Sequence, residues 1–318
     1  MIVRLFTLTV LMAAFIMGAA PRGAMAQEKL TLLLDWFINP DHAPLIVAQE
    51  GGYFARHGLD VEMLEPADPN DPPKLVAAGK ADLAVSYQPQ LHIQVAADLP
   101  LARIATLVAT PLNSLVVLED GPIREIADLK GKTIGYSVGG FETALLGAML
   151  AQADLTIDDV TLVNVNFSLS PSLISGQVDA VIGAFRNFEL NQMDIVGEPG
   201  RAFYPEEHGV PAYDELIVVA RNDRMDDPRF KAFLRAVEEA TTFVINHPEE
   251  SWQMFIGRDA ELDDELNRRA WADTLPRLAL RPAALDRGRY QRFGAFMKAS
   301  GLVDVTPPID GYARDIEP

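Results

Sequence analysis

Short apolar runs alternate with longer amphipathic segments along most of the chain. The runs KLTLLLDW (29–36) and DLAVSY (82–87) are short and mostly apolar, which is typical of buried β-strands. Between them, APLIVAQEGGYFARHG (43–58) has a helical pattern broken by its glycines, and PPKLVAAGKA (72–81) predicts a helix opened by proline. This regular alternation predicts an α/β fold with mostly parallel sheets, followed by a mainly helical segment from about Asp226.

Two similar apolar strands, NSLVVLED (113–120) and DELIVVARND (214–223), bracket a block that has βα units of its own. Such a block predicts a second lobe that the chain enters and leaves through paired crossovers, and these crossovers would act as a hinge. The expected division is a first lobe of residues 27–116 and 217–318 and a second lobe of residues 117–216. One continuous large sheet is the alternative that these patterns leave open.

The first 26 residues have the pattern of a secretory signal. One arginine precedes an apolar stretch from Leu5 to Ala20, and Ala24-Met25-Ala26 is a small-x-small cleavage site. We expect cleavage after Ala26 and a mature chain that works in the periplasm. The sequence contains no cysteine, so we expect no lipid attachment, disulfide or thiolate metal site.

The formal net charge of −18 narrows the classes of partner. A surface this acidic repels nucleic acid and anionic membranes and suits a highly soluble protein. No later apolar run approaches the ~20 residues that span a membrane. The five histidines lack HxxxH and HExxH spacing. We therefore expect no nucleic-acid partner and no metal site.

Polar and aromatic residues at strand ends are candidate ligand contacts, because open α/β sheets bind ligands there. Trp36 and Asn39 follow the first strand and suit stacking on a heterocycle and hydrogen bonding to its edge. The alternative is that Trp36 fills the core and Asn39 only makes a turn before Pro40. Tyr87 occupies a similar junction between a strand and a helix, with a simple proline-initiated helix as the alternative.

The segment VDAVIGAFRNFELNQM (178–193) runs from a strand into a polar and aromatic cluster that contains Phe185, Asn187 and Glu189. A carboxylate at this place can accept hydrogen bonds from an exocyclic amine, and Phe185 can stack on a ring. The alternative is an ordinary surface helix with Glu189 in its first turn, where a negative charge suits the helix dipole. Loops from both lobes would then converge on one cleft.

The segment KTIGYSVGGFETALLGAML (132–150) passes from a strand into a helix through Gly-Tyr-Ser-Val-Gly, the context of a hydrolase nucleophile elbow. A nucleophilic Ser137 would need an acid and a histidine later in the chain. The later histidines are His208, in a proline-flanked loop, and His247, near the end of a helical run, and neither clearly follows a strand and an acid in the required order. The favoured interpretation is a cradle, in which Ser137, Gly139 and their neighbours hold a ligand with backbone N–H groups without changing it.

Four segments of the chain resemble a known family: LDWFINPDHAPLIVAQEGGYFARHGLDVEML, GKADLAVSYQP, DLKGKTIGYSVGG and GQVDAVIGAF. They are similar to the substrate-binding proteins of ABC importers related to the thiamine-pyrimidine synthases and the sulfonate-binding proteins. The resemblance covers about residues 30–220. It implies a type II periplasmic binding protein fold, in which two α/β lobes are joined by two hinge crossover strands. The Asp-Trp-x-x-Asn start at residues 35–39 points to the subgroup that handles thiamine pyrimidine precursors.

The resemblance implies a role in transport and thiamine biosynthesis. The chain would be a monomeric periplasmic protein without a cofactor that closes on formylaminomethyl- or hydroxymethyl-aminopyrimidine and delivers it to a membrane permease with its ATPase. Trp36 would stack on the ring, Asn39 would bond its edge, and Glu189, with Glu142 as a further acceptor, would accept from its amino groups. Phe185 or Tyr87 would close the other face.

The resemblance also implies two rivals. The synthase relatives hold a phosphate in the Gly-rich loop, which Glu142 disfavours here, and they use a Cys-rich iron motif and pyridoxal phosphate. This chain has no cysteine and no lysine that matches the cofactor site, so we expect no enzyme activity. A sulfonate, nitrate or riboflavin-like ligand would keep the binding role. It is less favoured because Arg186 is the only arginine within the proposed loops.

Overall fold

The structure is a computed structural model that describes residues 27–317, so the signal expected at residues 1–26 lies outside the described residues. Its strands are β1 (Glu28–Leu33), β2 (Leu59–Leu64), β3 (Leu83–Ser86), β4 (Leu101–Val108), β5 (Asn113–Leu118), β6 (Thr133–Tyr136), β7 (Thr161–Asn164), β8 (Ala180–Phe185), β9 (Gly200–Phe203) and β10 (Leu216–Arg221). Its helices are α1 (Ala43–Glu50), α2 (Tyr53–Arg56), α3 (Pro72–Ala77), α4 (Gln88–Ala96), α5 (Phe141–Ala151), α6 (Leu169–Ile174), α7 (Glu189–Ile195), α8 (Pro228–Asn246), α9 (Pro248–Gly257), α10 (Glu265–Thr274) and α11 (Arg287–Ala299).

The described strands form two five-stranded sheets, so the alternative of one continuous sheet is wrong. The first sheet has the order β2-β1-β3-β10-β4 and the second has the order β7-β6-β8-β5-β9. In each sheet a single strand runs against the other four: β10 in the first and β5 in the second. The predicted α/β fold with mostly parallel sheets is confirmed. We call each sheet with its neighbouring helices the first lobe and the second lobe.

The two strands that were expected to bracket the second lobe lie in different sheets. β5 pairs with β8 and β9 in the second sheet, whereas β10 pairs with β3 and β4 in the first. The chain therefore passes from the first lobe to the second in residues 109–112 and returns in residues 204–215. Each passage leads directly into the antiparallel strand of the sheet that the chain enters. We call these two adjacent segments, the only connections between the lobes along residues 27–317, the hinge region.

Burial explains the strand patterns. All eight residues of β4 and all four of β3 are buried, because helices cover both faces of the sheet there. β2 instead alternates buried and exposed residues, as expected at a sheet edge with one face toward solvent. The predicted break in the helical segment 43–58 is also present, since Gly51 and Gly52 separate α1 from α2 and Gly52 has a φ of 71°.

The C-terminal segment is mainly helical, as predicted. α8 begins at Pro228, and the Asp227 side chain caps it by accepting from the Arg229 N–H at 3.0 Å. Its apolar stripe, which includes Phe230 and Phe233, packs the helix against α1 and α2 of the first lobe. Within residues 27–317, none of the helices has the length and apolar character needed to cross a membrane.

Candidate ligand-binding site

A cavity lies between the lobes, at the carboxyl ends of β1, β3 and β8. The residues that line it are Asp35, Trp36, Asn39, Asp41, Tyr87 and Leu216 from the first lobe and Glu142, Leu169, Gly183, Phe185, Phe188 and Glu189 from the second. About 420 Å³ is free of protein atoms, but only about 20 Å³ can hold the centre of a water molecule. The walls are thus nearly in contact, and a ring-sized ligand can enter only when the lobes separate.

The first-lobe wall is built around the buried carboxylate of Asp35. The Tyr87 hydroxyl donates to its Oδ2 at 2.7 Å, and His42 Nε2 lies 2.9 Å from its Oδ1. The backbone N–H of Asn39 donates to His42 Nδ1 at 3.3 Å, which leaves Nε2 as the nitrogen that carries the proton toward Asp35. Burial and the Asp35 charge raise the pKa of Tyr87 well above its usual 10, so the phenol stays protonated.

Asn39 shapes the turn between β1 and α1 as well as lining the cavity. Its Oδ1 accepts from the Asp41 N–H at 2.9 Å, and its Nδ2 donates to the Phe37 carbonyl at 3.0 Å. The turn interpretation is therefore part of its role. An amide can make two donor and two acceptor bonds, so one of each is still free for a ligand.

Trp36 is half-buried at the cavity rather than enclosed in the core. Its ring meets Phe167 of the second lobe edge-on, with 4.6 Å between the ring centres. The exposed ring of Phe37 also lies 4.6 Å from Phe167. The first lobe thus presents two adjacent aromatic rings to one ring of the second lobe at the rim of the cavity.

The loop 137–140 is occupied by a side chain of its own helix. Glu142 Oε2 accepts from the Ser137 N–H at 2.8 Å, and the Val138 N–H is a second donor to this carboxylate. Burial nevertheless raises the pKa of Glu142 well above its usual value. The N–H groups of Ser137 and Val138 that could cradle an anion are therefore already paired inside the chain.

Ser137 and Gly139 are not in the cavity wall. The Ser137 hydroxyl donates to the Asn166 carbonyl, and the Gly139 N–H donates to Asn70 Oδ1 at 2.8 Å. Asn70 also donates from its Nδ2 to the Ser137 carbonyl at 3.1 Å. Since Asn70 belongs to the first lobe, this loop ties the two lobes together instead of contacting the cavity.

The second-lobe wall places Phe185, Phe188 and Glu189 at the cavity. The Phe185 N–H donates to Glu189 Oε2 at 2.6 Å, and burial raises the pKa of Glu189 to about 7. Asn187 does not line the cavity. Its Nδ2 donates to Asp41 Oδ1 and to the Thr274 hydroxyl, both at 2.7 Å.

Four of the lining residues carry functional groups or constraints that sequence reasoning missed. Asp35 and Asp41 stand beside Trp36 and Asn39 in one short stretch, so their charge at a strand end was an available signal. Phe188 lies in the polar and aromatic segment 178–193 that was predicted to contact the ligand, so its aromatic ring was an available signal. Gly183 gave no signal, because its importance comes from space: a Cβ there would lie 2.5–2.7 Å from the carboxyl atoms of Glu142.

Arg186 is engaged in the hinge region and does not line the cavity. Its guanidinium forms two hydrogen bonds to Glu206, at 2.6 and 3.0 Å, and donates to the carbonyls of Leu112 and Asn113. It also lies over the Tyr204 ring, 4.0 Å from its centre. The cavity lining contains no lysine or arginine.

Comparison with known proteins identifies the family. A family model described as "NMT1/THI5 like" matches residues 39–251. The chain belongs to the NMT1/THI5-like family. The resemblance inferred from the sequence is therefore confirmed.

Three proteins similar to this NMT1/THI5-like chain differ in the roles that their names give. A Haemophilus influenzae protein whose name places it in thiamine biosynthesis is 54% identical, covering 96% of this chain and 98% of that protein. The formylaminopyrimidine-binding protein of Halalkalibacterium halodurans is 34% identical, over 74% of this chain and 72% of that protein. The 4-amino-5-hydroxymethyl-2-methylpyrimidine phosphate synthase of Schizosaccharomyces pombe is 28% identical, over 77% and 73%.

Solved structures show the fold of this NMT1/THI5-like chain. The alkanesulfonate-binding protein SsuA of Xanthomonas axonopodis pv. citri superposes with a TM-score of 0.69 at 18% identity, covering 89% of this chain and 96% of that one. A Candida albicans protein described as having the generic periplasmic binding protein fold gives 0.68 at 17% identity, covering 91% and 96%. The expected periplasmic binding protein fold is confirmed.

Proposed function

We propose that this protein is the periplasmic solute-binding component of an ABC importer and captures a thiamine pyrimidine precursor, formylaminomethyl- or hydroxymethyl-aminopyrimidine. One observation carries the proposal: the cavity between the lobes combines aromatic rings with buried carboxyl groups and has no basic side chain in its lining. Such a wall accepts N–H donors and disfavours sulfonate or nitrate. The similarity to a formylaminopyrimidine-binding protein supports the same ligand class.

The proposed contacts follow from which polar atoms remain available. Trp36 stacks on the pyrimidine ring, and Asn39 bonds its edge with the donor and acceptor that its turn leaves free. The Glu189 carboxylate accepts from an amino group, and Phe185 or Tyr87 closes the other face. Glu142 is a weaker candidate, because backbone donors already hold one of its oxygens.

The proposed mode of action is closure around the ligand. The two lobes, which are connected by residues 109–112 and 204–215, would move about this hinge region, and the closed form would be recognised by the permease and its ATPase. The protein would act as a monomer after cleavage behind Ala26. It would bind its ligand without changing it, unlike the relatives that are named synthases.

The test is a titration of residues 27–318, followed by thermal shift and calorimetry, with both pyrimidines, thiamine, taurine, nitrate and riboflavin. A ligand at 100 times its dissociation constant should raise the free energy of unfolding by about 2.7 kcal/mol. Glu189→Gln should weaken pyrimidine binding, whereas the control Glu198→Gln changes an exposed carboxylate and should not. Stabilisation by an anion alone would contradict the pyrimidine assignment.

A further inference from the structure

Asp41 is a buried carboxylate in which one oxygen accepts hydrogen bonds and the other has no partner among the described residues. It lies in the short turn between β1 and α1, is 1% exposed and lines the cavity. Its Oδ1 accepts from Asn187 Nδ2 at 2.7 Å and from the Thr274 hydroxyl at 3.0 Å. Its Oδ2 has no hydrogen-bond partner among the residues that the structure describes.

A buried carboxylate oxygen without a hydrogen-bond partner costs free energy. We therefore expect the ligand-bound protein to supply a donor to this oxygen. Because Asp41 lines the cavity and its Oδ1 is bonded to Asn187 and Thr274, we infer that Oδ2 is the oxygen on the cavity side. Burial raises the pKa of Asp41 only to about 6, so the carboxyl group is mostly ionised at neutral pH and is a strong acceptor. A donor inside the cavity would satisfy it.

The partners of Oδ1 come from two parts of the molecule. Asn187 follows β8 in the second lobe, whereas Thr274 ends α10, which packs against the β1–α1 turn of the first lobe. The Asn187 bond can exist only when the lobes are closed. One carboxylate therefore touches both the cavity and the opposite lobe.

We propose that Asp41 is a specificity-determining residue, whose Oδ2 accepts an N–H of the ligand while its Oδ1 holds Asn187 and so couples recognition to closure. This inference rests on the proposed pyrimidine-binding function. Since Glu189 accepts from the ligand at another place on the wall, the preferred ligands are heterocycles with two separate N–H hydrogens, as an exocyclic amino group provides.

The test compares hydroxymethyl-aminopyrimidine with its analogue that lacks the amino group, using calorimetry. In Asp41→Asn the amide oxygen can still accept from Asn187, but an NH₂ group replaces the free oxygen. We expect the affinity for the amino ligand to fall about 10- to 100-fold, as for a lost hydrogen bond to a charged group, and that for the analogue to change less than about threefold. Asn187→Ala removes only the tie between lobes and should weaken both ligands by the same factor.

A second pair of variants distinguishes a lost ligand contact from a folding defect. Asp41→Ser also lacks Oδ2 and should show the same loss of preference for the amino ligand. Thr274→Val removes a donor to Oδ1 and an acceptor of Asn187 but leaves Oδ2 in place, so the ratio of the two affinities should stay at the wild-type value. Ligand-free melting temperatures identify any variant that has failed to fold.

Two outcomes overturn the inference and can be told apart. If Asp41→Asn and Asp41→Ser weaken both ligands by one factor, Asp41 does not contact the ligand, while the proposed function stands. If the wild-type protein binds neither pyrimidine, the proposed function is wrong and the role of Asp41 falls with it.

Discussion

At the scale of single residues, burial controls the charge of the cavity wall. Glu189 is 7% exposed, and its removal from water raises the pKa of its carboxyl to about 7 even though the Phe185 N–H donates to it. Near neutral pH the empty site therefore contains this group in both protonation states. Only the ionised form can accept a hydrogen bond at both oxygens.

Pyrimidine binding should consequently strengthen as the pH rises. A ligand that bonds the ionised carboxylate must first displace its proton below the pKa, so affinity should be about tenfold weaker at pH 6 than at pH 8. Asp41, whose pKa is about 6, should add a further loss below that pH. Calorimetry across this range measures the effect. Glu189→Gln should bind more weakly with a flatter profile, and an unchanged profile would contradict the role of Glu189.

In the ligand-free protein, the same raised pKa values should lower the free energy of unfolding as the pH rises. Burial raises the pKa of both Glu189 and Glu215 from 4.5 to about 7, so the folded state holds protons that the unfolded state releases. Their contribution to stability is fully present below about pH 4.5 and is lost as the pH rises through 7. Ligand-induced stabilisation should therefore be largest where the empty protein has lost this contribution.

Gly183 is required because Glu142 lies against its Cα. Gly183→Ala should place a methyl group 2.5–2.7 Å from the carboxyl atoms at a φ of +106°, and should displace Glu142 into the cavity. We expect the free energy of unfolding to fall about 1–3 kcal/mol more than in the control, with loss of ligand binding. The control, Gly176→Ala, has a φ of +72° but open space around the new methyl. Equal effects of the two changes on urea denaturation would show that backbone strain alone is responsible.

The sequence indicated six of the twelve lining residues, because strand ends can be located from hydrophobic patterns. Trp36, Tyr87 and Phe185, which follow or end predicted strands, line the cavity. The direction in which a side chain points depends on tertiary contacts, which patterns do not contain. Asn187 was therefore expected to face the ligand, although it donates to Asp41 and Thr274 instead.

At the scale of elements, the connection from β8 to α7 supports the hinge region. Arg186 links the carbonyls of Leu112, at the end of one passage, and Asn113, at the start of β5, to Glu206 in the other passage. Glu215, at the end of the second passage, accepts from the N–H groups of the same residues, Leu112 and Asn113. The two passages are thus joined by side chains as well as by their order in the chain.

Replacement of Arg186 should reveal this support. Arg186→Lys keeps the charge but cannot bond Glu206 with two nitrogens while reaching both carbonyls, so the free energy of unfolding should fall by about 1–3 kcal/mol. The control Arg201→Lys changes a more exposed pair with Glu119 and should cost less. Thermal unfolding measures both. A selective loss of taurine binding in Arg186→Lys would instead favour the sulfonate alternative.

Element types could be predicted from the sequence more fully than element partners. Apolar runs and glycine breaks located β1, β3 and the boundary between α1 and α2, because these signals are local. The sheet to which a strand belongs depends on contacts far along the chain. β5 and β10 look alike in sequence, yet they lie in different sheets.

At the scale of the whole molecule, contacts between side chains hold the lobes together. Asn70 bonds the backbone of Ser137 and Gly139, and Arg269 of α10 pairs with Asp194 of α7. Ser137, Gly139 and Asn187, which were expected at the ligand, are all part of such ties. The described conformation is therefore the closed one.

Loss of the Asn70 tie should shift the protein toward open forms. Asn70→Ala removes two hydrogen bonds between the lobes, each worth about 1 kcal/mol net, so ligand affinity should fall about 5- to 30-fold. Small-angle scattering should show a larger radius of gyration without ligand and the wild-type value at saturation. Asn246→Ala is the control, because that amide donates only within its own helix. An unchanged radius and affinity would mean that Asn70 does not govern closure.

The narrowness of the cavity has a further effect, on how long a ligand stays. Only about 20 Å³ of the cavity can hold water centres, so a ligand held between the lobes should leave mainly when they part, and its residence time should follow how often they do so. Weakening the tie at Asn70 should then raise the dissociation rate by at least the factor by which affinity falls, while the larger open population keeps the association rate at or above its wild-type value. Stopped-flow measurement of both rates tests this, and a slower association would contradict it.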